Sequence, residues 1–480
     1  MGAPTFDFPI APERRAVPAW LWAVAGGAAA FAVAAAASYS VAAAFGVAVV
    51  ISAAIAVFSR PASLLLILAA SVYLEIVRAQ GTTISRLLAP LALVTILVQL
   101  VRGRASIRAD RPLAWAVAYS VWALASGLWT TSTAGTLYLL PSLAIALVYT
   151  AAFASLLDSR RDLERVLVVL GLASLIVGII SFPRISQTLG FGDVLEAGRS
   201  RGGVGDPNSF AALQLVTLPL VIVLAAQARR LRAQVCFYGA VVVSIGSILT
   251  ALSRAGFIGL ALLLVLVVVA PSRFLFGSRR AKAIALVILA VGLTGVTVRH
   301  SSALTTRVQT IWGHGSRATQ QGSGRLELWK AARTSVTERP WFGLGYGAFP
   351  SASNALLLRT PGVDLRFYEG RKNGEPVHNT YLESLVELGI AGPILYVGLL
   401  LSTAGSLRRT ARRALRADEQ LVARVAHALI LGLCTWAIAS IFLSGETSRP
   451  LWIVIGLTLA LPKLIAAQRT AGDVARTDAQ

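Results

Sequence analysis

Apolar runs of about twenty residues, the length a helix needs to cross the hydrocarbon core of a bilayer, recur along nearly the whole chain. They fall near residues 18–37, 40–58, 61–78, 86–101, 112–129, 138–157, 163–182, 207–227, 233–252, 255–270, 281–299, 379–404, 422–443 and 450–468. Read as spans they number about fourteen, or about twelve where the first two form an interfacial element and one span. One long polar stretch, from about 298 to 381, interrupts the pattern. It holds His300, His314 and His378, three of the four histidines. So long an irregular connection is uncommon unless it is used. The pattern therefore predicts an all-α, polytopic integral membrane protein. It has about 12–14 transmembrane helices and one large external loop containing short amphipathic helices. The expected divisions are a cytoplasmic tail over 1–17, a helix bundle over 18–299, the loop over 300–378, further spans over 379–468 and a cytoplasmic tail over 469–480.

Composition agrees. Of 480 residues, 56% are hydrophobic and 14% charged, against roughly 25% charged in a soluble domain. A net charge of +22 raises the question of nucleic acid, but its distribution answers it. Arginines cluster in short connections after every second span: Arg102, Arg104, Arg108 and Arg111; Arg160, Arg161 and Arg165; Arg229, Arg230 and Arg232; Arg273, Arg279 and Arg280 with Lys282; and Arg408, Arg409, Arg412, Arg413 and Arg416. This is the positive-inside pattern, which sets orientation and implies no nucleic acid. The residues up to Pro18 are polar, and Arg14 and Arg15 precede the first span, so a cytoplasmic tail and signal anchor are expected in place of a cleaved leader. With that start, both termini lie inside. Cys236 and Cys434 fall in apolar spans and are expected to be packing residues.

Arginine on the external side runs against the orientation rule and therefore carries information. Arg184, Arg199, Arg201, Arg254 and Arg449 all fall there, and residues 300–377 hold ten Lys/Arg against five Asp/Glu. An anionic substrate explains the excess; contacts with membrane lipid headgroups are the plainer alternative. Arg254 sits in Leu252-Ser253-Arg254-Ala255-Gly256, between two spans with almost no loop. An arginine at the hydrocarbon edge is costly and usually faces a cavity or partner. With Arg325, for which anchoring the loop helix at the membrane interface is the alternative, it would bracket a pyrophosphate through bidentate hydrogen bonds. No Asp-x-Asp pair and no cluster with metal-ligand spacing occurs in the sequence, so no metal or other cofactor is expected and arginines would stabilise a phosphate leaving group.

Within the loop, residues 324–333 have the spacing of a short amphipathic helix, expected to rest at the membrane interface with Trp329 in the headgroup layer. The glycine-rich run Gly343-Leu344-Gly345-Tyr346-Gly347 reads as a tight turn, since no strand precedes it as a nucleotide loop requires. Thr380-x-x-Glu383 reads as a capping box, so a span should begin at Thr380, with Glu383 and Glu387 on one face. His378 then lies just before a helix start, where an imidazole can take a proton from a hydroxyl; a buried packing role is the alternative.

Together, Ser253-Arg254-Ala255-Gly256, Gly324-Arg325-Leu326-x-x-Trp329, Gly343-x-Gly345-x-Gly347-x-Phe349 and His378-Asn379-x-Tyr381-Leu382-Glu383-x-x-x-Glu387-x-Gly389 resemble the O-antigen ligase and polymerase family over roughly residues 200–445. The resemblance implies a bacterial inner-membrane glycosyltransferase with its site facing the periplasm. Its donor would be a glycan on undecaprenyl pyrophosphate, and its acceptor lipid A-core or a growing glycan. It assigns Arg254 and Arg325 to the pyrophosphate and His378 to the acceptor hydroxyl. Arg201, Asn208, Glu383 and Arg449 become candidate substrate-binding residues. Ligase, polymerase and protein glycosylation remain open on the sequence. A flippase is the alternative of another class, disfavoured because no internal repeat is present and Glu75 is one of few charges within the spans.

Overall fold

Polar residues open the helices where the apolar runs begin. In the computed structural model, which describes residues 61–75, 78–79, 82–196, 198–299, 324–368 and 374–477, Asp110, Ser132, Ser159, Asp206 and Ser253 each accept a backbone N–H of the first turn that follows them. These caps satisfy donors that a helix cannot satisfy itself. At Ser159 the arrangement is reciprocal: its hydroxyl also donates to the Asp162 carboxylate at 2.6 Å.

The helices are α1 (Ala62–Ser71), α2 (Ile84–Val101), α3 (Arg111–Ala125), α4 (Thr133–Leu156), α5 (Arg160–Ile180), the short α6 (Pro183–Thr188), α7 (Pro207–Gln227), α8 (Leu231–Thr250), α9 (Arg254–Val269), the single turn α10 (Ser272–Leu275) and α11 (Arg279–Arg299). The loop contributes α12 (Arg325–Glu338), α13 (Phe349–Arg359) and α14 (Thr380–Leu388), and the chain continues through α15 (Ala391–Arg416), α16 (Gln420–Ala439) and α17 (Arg449–Thr477). Sheet structure among the described residues is confined to two small antiparallel ribbons, β1 (Arg78–Ala79) with β2 (Thr82–Thr83) and β3 (Leu195–Glu196) with β4 (Arg199–Ser200). The protein is thus an all-α polytopic membrane protein. Among the described residues, seven helices are long and apolar enough to cross a membrane: α2, α4, α5, α7, α8, α16 and α17 over Arg449–Ala466. α1 and α9 are shorter apolar helices. The expected spans at 18–37 and 40–58, the tail at 1–17 and the loop residues 300–323 lie outside the described residues.

The chain divides after residue 64, and residues 65–480 form one unit. At its centre is α7, apolar on every face and almost wholly buried, the pattern of a helix enclosed by others. It packs against α5, α8, α9 and α16, while α4 pairs with α17 and α3 with α15. Glycines permit two of these approaches: a Cβ at Gly432 would lie 2.7 Å from the Val216 carbonyl, and one at Gly456 2.8 Å from that of Thr150.

Two elements depart from the reading of the sequence. The expected span at 379–404 is broken after Leu388, because Gly389 adopts φ 65° and ψ −164°, a region open essentially to glycine. α14 therefore belongs to the loop module, and α15 starts separately. The amphipathic helix is longer than expected, and Trp329 packs within the loop. Its indole N–H donates to the Val377 carbonyl at 3.0 Å, and its ring packs on the loop's own core of Leu328, Phe349, Leu356, Val377 and Val386. Of the cysteines, Cys236 is half-buried and Cys434 lies at the protein surface, so only the first packs as expected.

Candidate active site

Among the described residues, the connections that the arginine pattern assigns to the external side meet at one end of the bundle. The α3–α4 turn is stitched to the loop by Thr131 N–H to the Leu344 carbonyl (2.7 Å), Trp129 Nε1 to the Phe342 carbonyl (2.8 Å) and Trp122 Nε1 to the Leu388 carbonyl (2.9 Å). The glycine-rich run makes the tight turn expected of it. Gly343, Gly345 and Gly347 all have positive φ, and a Cβ at Gly345 would lie 2.3 Å from Thr130 Oγ1.

Arg254 begins α9. Leu252 turns the chain with φ 48°, and Ser253 caps the helix through Gly256 N–H. The Ser253 hydroxyl also donates to Asn208 Oδ1 at 2.8 Å, and both residues are buried. Asn208 thus holds the turn that carries Arg254. Arg254 Nε and Nη2 are buried without a hydrogen-bond partner. Arg325, the first residue of α12, donates from Nη1 to the Phe442 carbonyl at 2.9 Å, while its Nε is buried and unpartnered. Burial pushes the Arg325 guanidinium below its ordinary pKa; Asp206 opposes this, and the charges of Arg199 and Arg254 add to the lowering. These groups are therefore electrostatic neighbours.

His378 is strapped to the same α16–α17 turn. Its N–H donates to Ser444 Oγ at 3.1 Å, two residues on from the carbonyl that holds Arg325. Thr380 grips that turn as well, donating to the Leu443 carbonyl (2.7 Å) and accepting from Gly445 N–H (3.0 Å). The cap of α14 is Asn379, whose Oδ1 accepts from Tyr381 and Leu382 N–H at 3.1 Å each. Thr380 is thus not the cap its spacing suggested, because its hydroxyl is committed to the neighbouring turn. His378 itself holds φ 55°, and its Nε2 lies 3.9 Å from Glu375 Oε2.

The remaining candidates separate. Arg449 forms an ion pair with Glu75 at 3.4 Å, and Ser85 donates to the other Glu75 oxygen at 2.9 Å. Arg201 sits beside the β3–β4 ribbon, its N–H donating to the Val194 carbonyl. Glu383 is buried, with Glu387 and Glu446 as charged neighbours; burial first, then those two carboxylates, raise its pKa. Glu387 accepts Gly347 N–H at 2.7 Å and Phe349 N–H at 3.1 Å, and burial pushes it up to about 8. Glu387 thereby braces the glycine-rich turn of the loop against α14. Among the described residues no group of three or more His, Cys, Asp or Glu is arranged to hold a metal ion.

The structure adds one residue that spacing did not single out from its neighbours. Arg199, on β4, donates from Nε to the Ala251 carbonyl at 3.0 Å, three residues before Arg254. The sequence showed it only as one of several external arginines; its place depends on the ribbon folding back onto the end of α8.

The arrangement sets cations with free N–H groups beside an imidazole at the mouth of a helix bundle, suited to holding a phosphate-bearing lipid while a hydroxyl is deprotonated. No curated protein matches the chain. The model of the family described as O-antigen ligase matches residues 239–397, a segment holding Arg254, Arg325 and His378, so over this segment the chain carries a domain of the O-antigen ligase family.

Proposed function

We propose that the protein transfers an oligo- or polysaccharide from undecaprenyl pyrophosphate to an acceptor hydroxyl at the outer face of the bacterial plasma membrane, as an O-antigen ligase acting on lipid A-core. The observation that carries this reading is the pair Arg254 and Arg325, whose buried N–H groups lack partners, next to a turn that also holds His378. Unpaired buried guanidinium groups are costly and call for an anion. In the proposed step the acceptor oxygen attacks the anomeric carbon opposite the pyrophosphate, giving inversion. The carbon–oxygen bond to phosphate breaks, its electron pair stays on the phosphate oxygen, and His378 takes the hydroxyl proton. Arg254 and Arg325 hold the phosphates. Asn208 positions Arg254 through Ser253, and Arg201, Glu383 and Arg449 support the surrounding cavity. No cofactor is required, and activity survives EDTA.

A repeat-unit polymerase or a protein O-glycosylating enzyme would use the same donor chemistry. The test is transfer by purified protein in detergent, with lipid-linked glycan plus lipid A-core and with donor alone. Glycosylated core supports a ligase; chains that lengthen with donor alone support a polymerase. Arg254→Ala and Arg325→Ala should each reduce turnover by about 10²–10³-fold or more, and His378→Ala by about 10²–10⁴-fold. Full activity of the Arg254 or Arg325 variant at normal abundance removes that residue from the site.

A further inference from the structure

Arg199 lies outside the segment that matches the family, yet three contacts of β4 fix it at the end of α8, just before the turn that carries Arg254. Its Nε is held by the Ala251 carbonyl at 3.0 Å. The next residue, Ser200, is fully buried and donates to Thr250 Oγ1 at 2.9 Å and to the Ser181 carbonyl at 2.6 Å. The ribbon is therefore pinned to the end of α8 directly before the Leu252 turn. With Nε anchored, the guanidinium keeps one edge for something else, and Nη2 is buried with no hydrogen-bond partner.

Among the described residues nothing supplies that partner. Asp206 and Glu196, the cross-strand neighbour of Arg199, are the nearby anions, but the Asp206 carboxylate is engaged as the cap of α7. Oδ1 accepts Ser209 N–H at 2.7 Å and the Ser209 hydroxyl at 3.0 Å, and Oδ2 accepts Asn208 Nδ2 at 3.3 Å. Among the described residues Arg199, Arg254 and Arg325 form no ion pair with any carboxylate. The three guanidinium groups thus share their surroundings with two carboxylates, Asp206, committed as a cap, and Glu196, the cross-strand neighbour of Arg199, and form an ion pair with neither. Burial also lowers the Arg199 pKa, with Asp206 and Glu196 opposing. That lowering reflects the cost of holding a charge out of water.

The chemistry of transfer supplies a reason for a third cation. A glycan joined to a lipid through pyrophosphate carries one negative charge on each phosphate. When the sugar carbon–oxygen bond breaks, the electron pair remains on the phosphate oxygen and adds one more. Two guanidinium groups balance the donor; a third balances the charge that appears only as the bond breaks. We propose that Arg199 is this third guanidinium, bonding the departing pyrophosphate and thereby selecting pyrophosphate over monophosphate lipids. The inference rests on the reading of Arg254 and Arg325 as pyrophosphate-holding groups. An interaction made chiefly with the developing charge lowers the barrier to the chemical step more than it strengthens donor binding.

The full-length protein in detergent tests this with Arg199→Gln, whose amide retains a donor for the Ala251 carbonyl while the charge is lost. Turnover is measured against donor concentration, and undecaprenyl pyrophosphate and undecaprenyl monophosphate are compared as competing ligands. The expected result is a fall in kcat of about 10²–10³-fold with little change in KM. The preference for pyrophosphate over monophosphate should shrink by about tenfold or more, and Arg199→Lys should recover part of both losses. Unchanged kcat and unchanged preference overturn the proposal, as does equal weakening of both lipids, which would mark a structural role. If Arg199→Gln does not fold, the preference measured on Arg199→Lys decides: a reduced ratio supports the assignment and a wild-type ratio rejects it. The same competition on Arg254→Ala and Arg325→Ala separates the two levels. Wild-type pyrophosphate binding by both sinks the site itself, whereas loss there with an indifferent Arg199→Gln sinks only the third guanidinium.

Discussion

Leu252 at φ 48° and His378 at φ 55° hold backbone angles that side chains disfavour. Among the described residues the third such non-glycine position is Asp418, in the Arg-rich connection before α16. Residues held in this region cost on the order of 1–3 kcal/mol and persist where the surroundings over-determine them. Here the surroundings are named: the Ser253–Asn208 bond after Leu252, and the Ser444 and Thr380 contacts around His378. A different kind of residue-scale tension sits beneath the loop, where Glu387 is pushed up to about 8 by burial and Glu383 is raised in the same direction. A carboxyl raised in the folded state keeps a proton that the unfolded chain has lost. Its stabilising contribution is complete below the unfolded value and disappears as pH rises through the folded one. The melting temperature in detergent should therefore fall as pH is raised from about 5 to about 9. A flat or rising profile would show that these carboxyls are ionised in the fold.

At the scale of elements, the decisive device is the break between α14 and α15. A continuous helix would have carried α14 into the bundle; instead Gly389 turns the chain and Ile390 N–H finds the Pro340 carbonyl at 3.0 Å. A Cβ at Gly389 would lie 2.0 Å from the Trp341 carbonyl. Gly389→Ala should therefore destabilise the loop module by more than the roughly 1–3 kcal/mol of backbone strain alone, read as a lowered melting temperature and faster limited proteolysis of the loop. Wild-type stability would mean that the 340–342 segment yields easily. The apolar run from 379 to 404 gave no hint of this break. Apolar runs report burial or lipid contact, and both halves satisfy that requirement equally well.

At the scale of the whole molecule, the described connections that the arginine pattern assigns to the outside converge on one end, and the proposed function requires that end to face away from the cytoplasm. Single cysteines in a background with Cys236 and Cys434 replaced by serine test this orientation. Leu358→Cys, on exposed α13, should react with a membrane-impermeant thiol reagent in intact spheroplasts. Arg412→Cys, in the basic end of α15, should react only after permeabilisation. The opposite pattern would place the site in the cytoplasm and reject the proposed donor. The sequence by itself determined the class of protein and the start of most helices, because spanning length, arginine asymmetry and capping residues are local properties of the chain. It also carried the motifs around Arg254, Arg325 and His378. Only the tertiary structure decided that Asn208 holds Ser253, that Arg449 is paired with Glu75, that Trp329 closes a core within the loop and that Arg199 is fixed just before the turn that carries Arg254. These are contacts between residues far apart in the chain or on separate elements, and no periodicity or spacing records which of several external arginines a folded ribbon will bring to another helix's first turn.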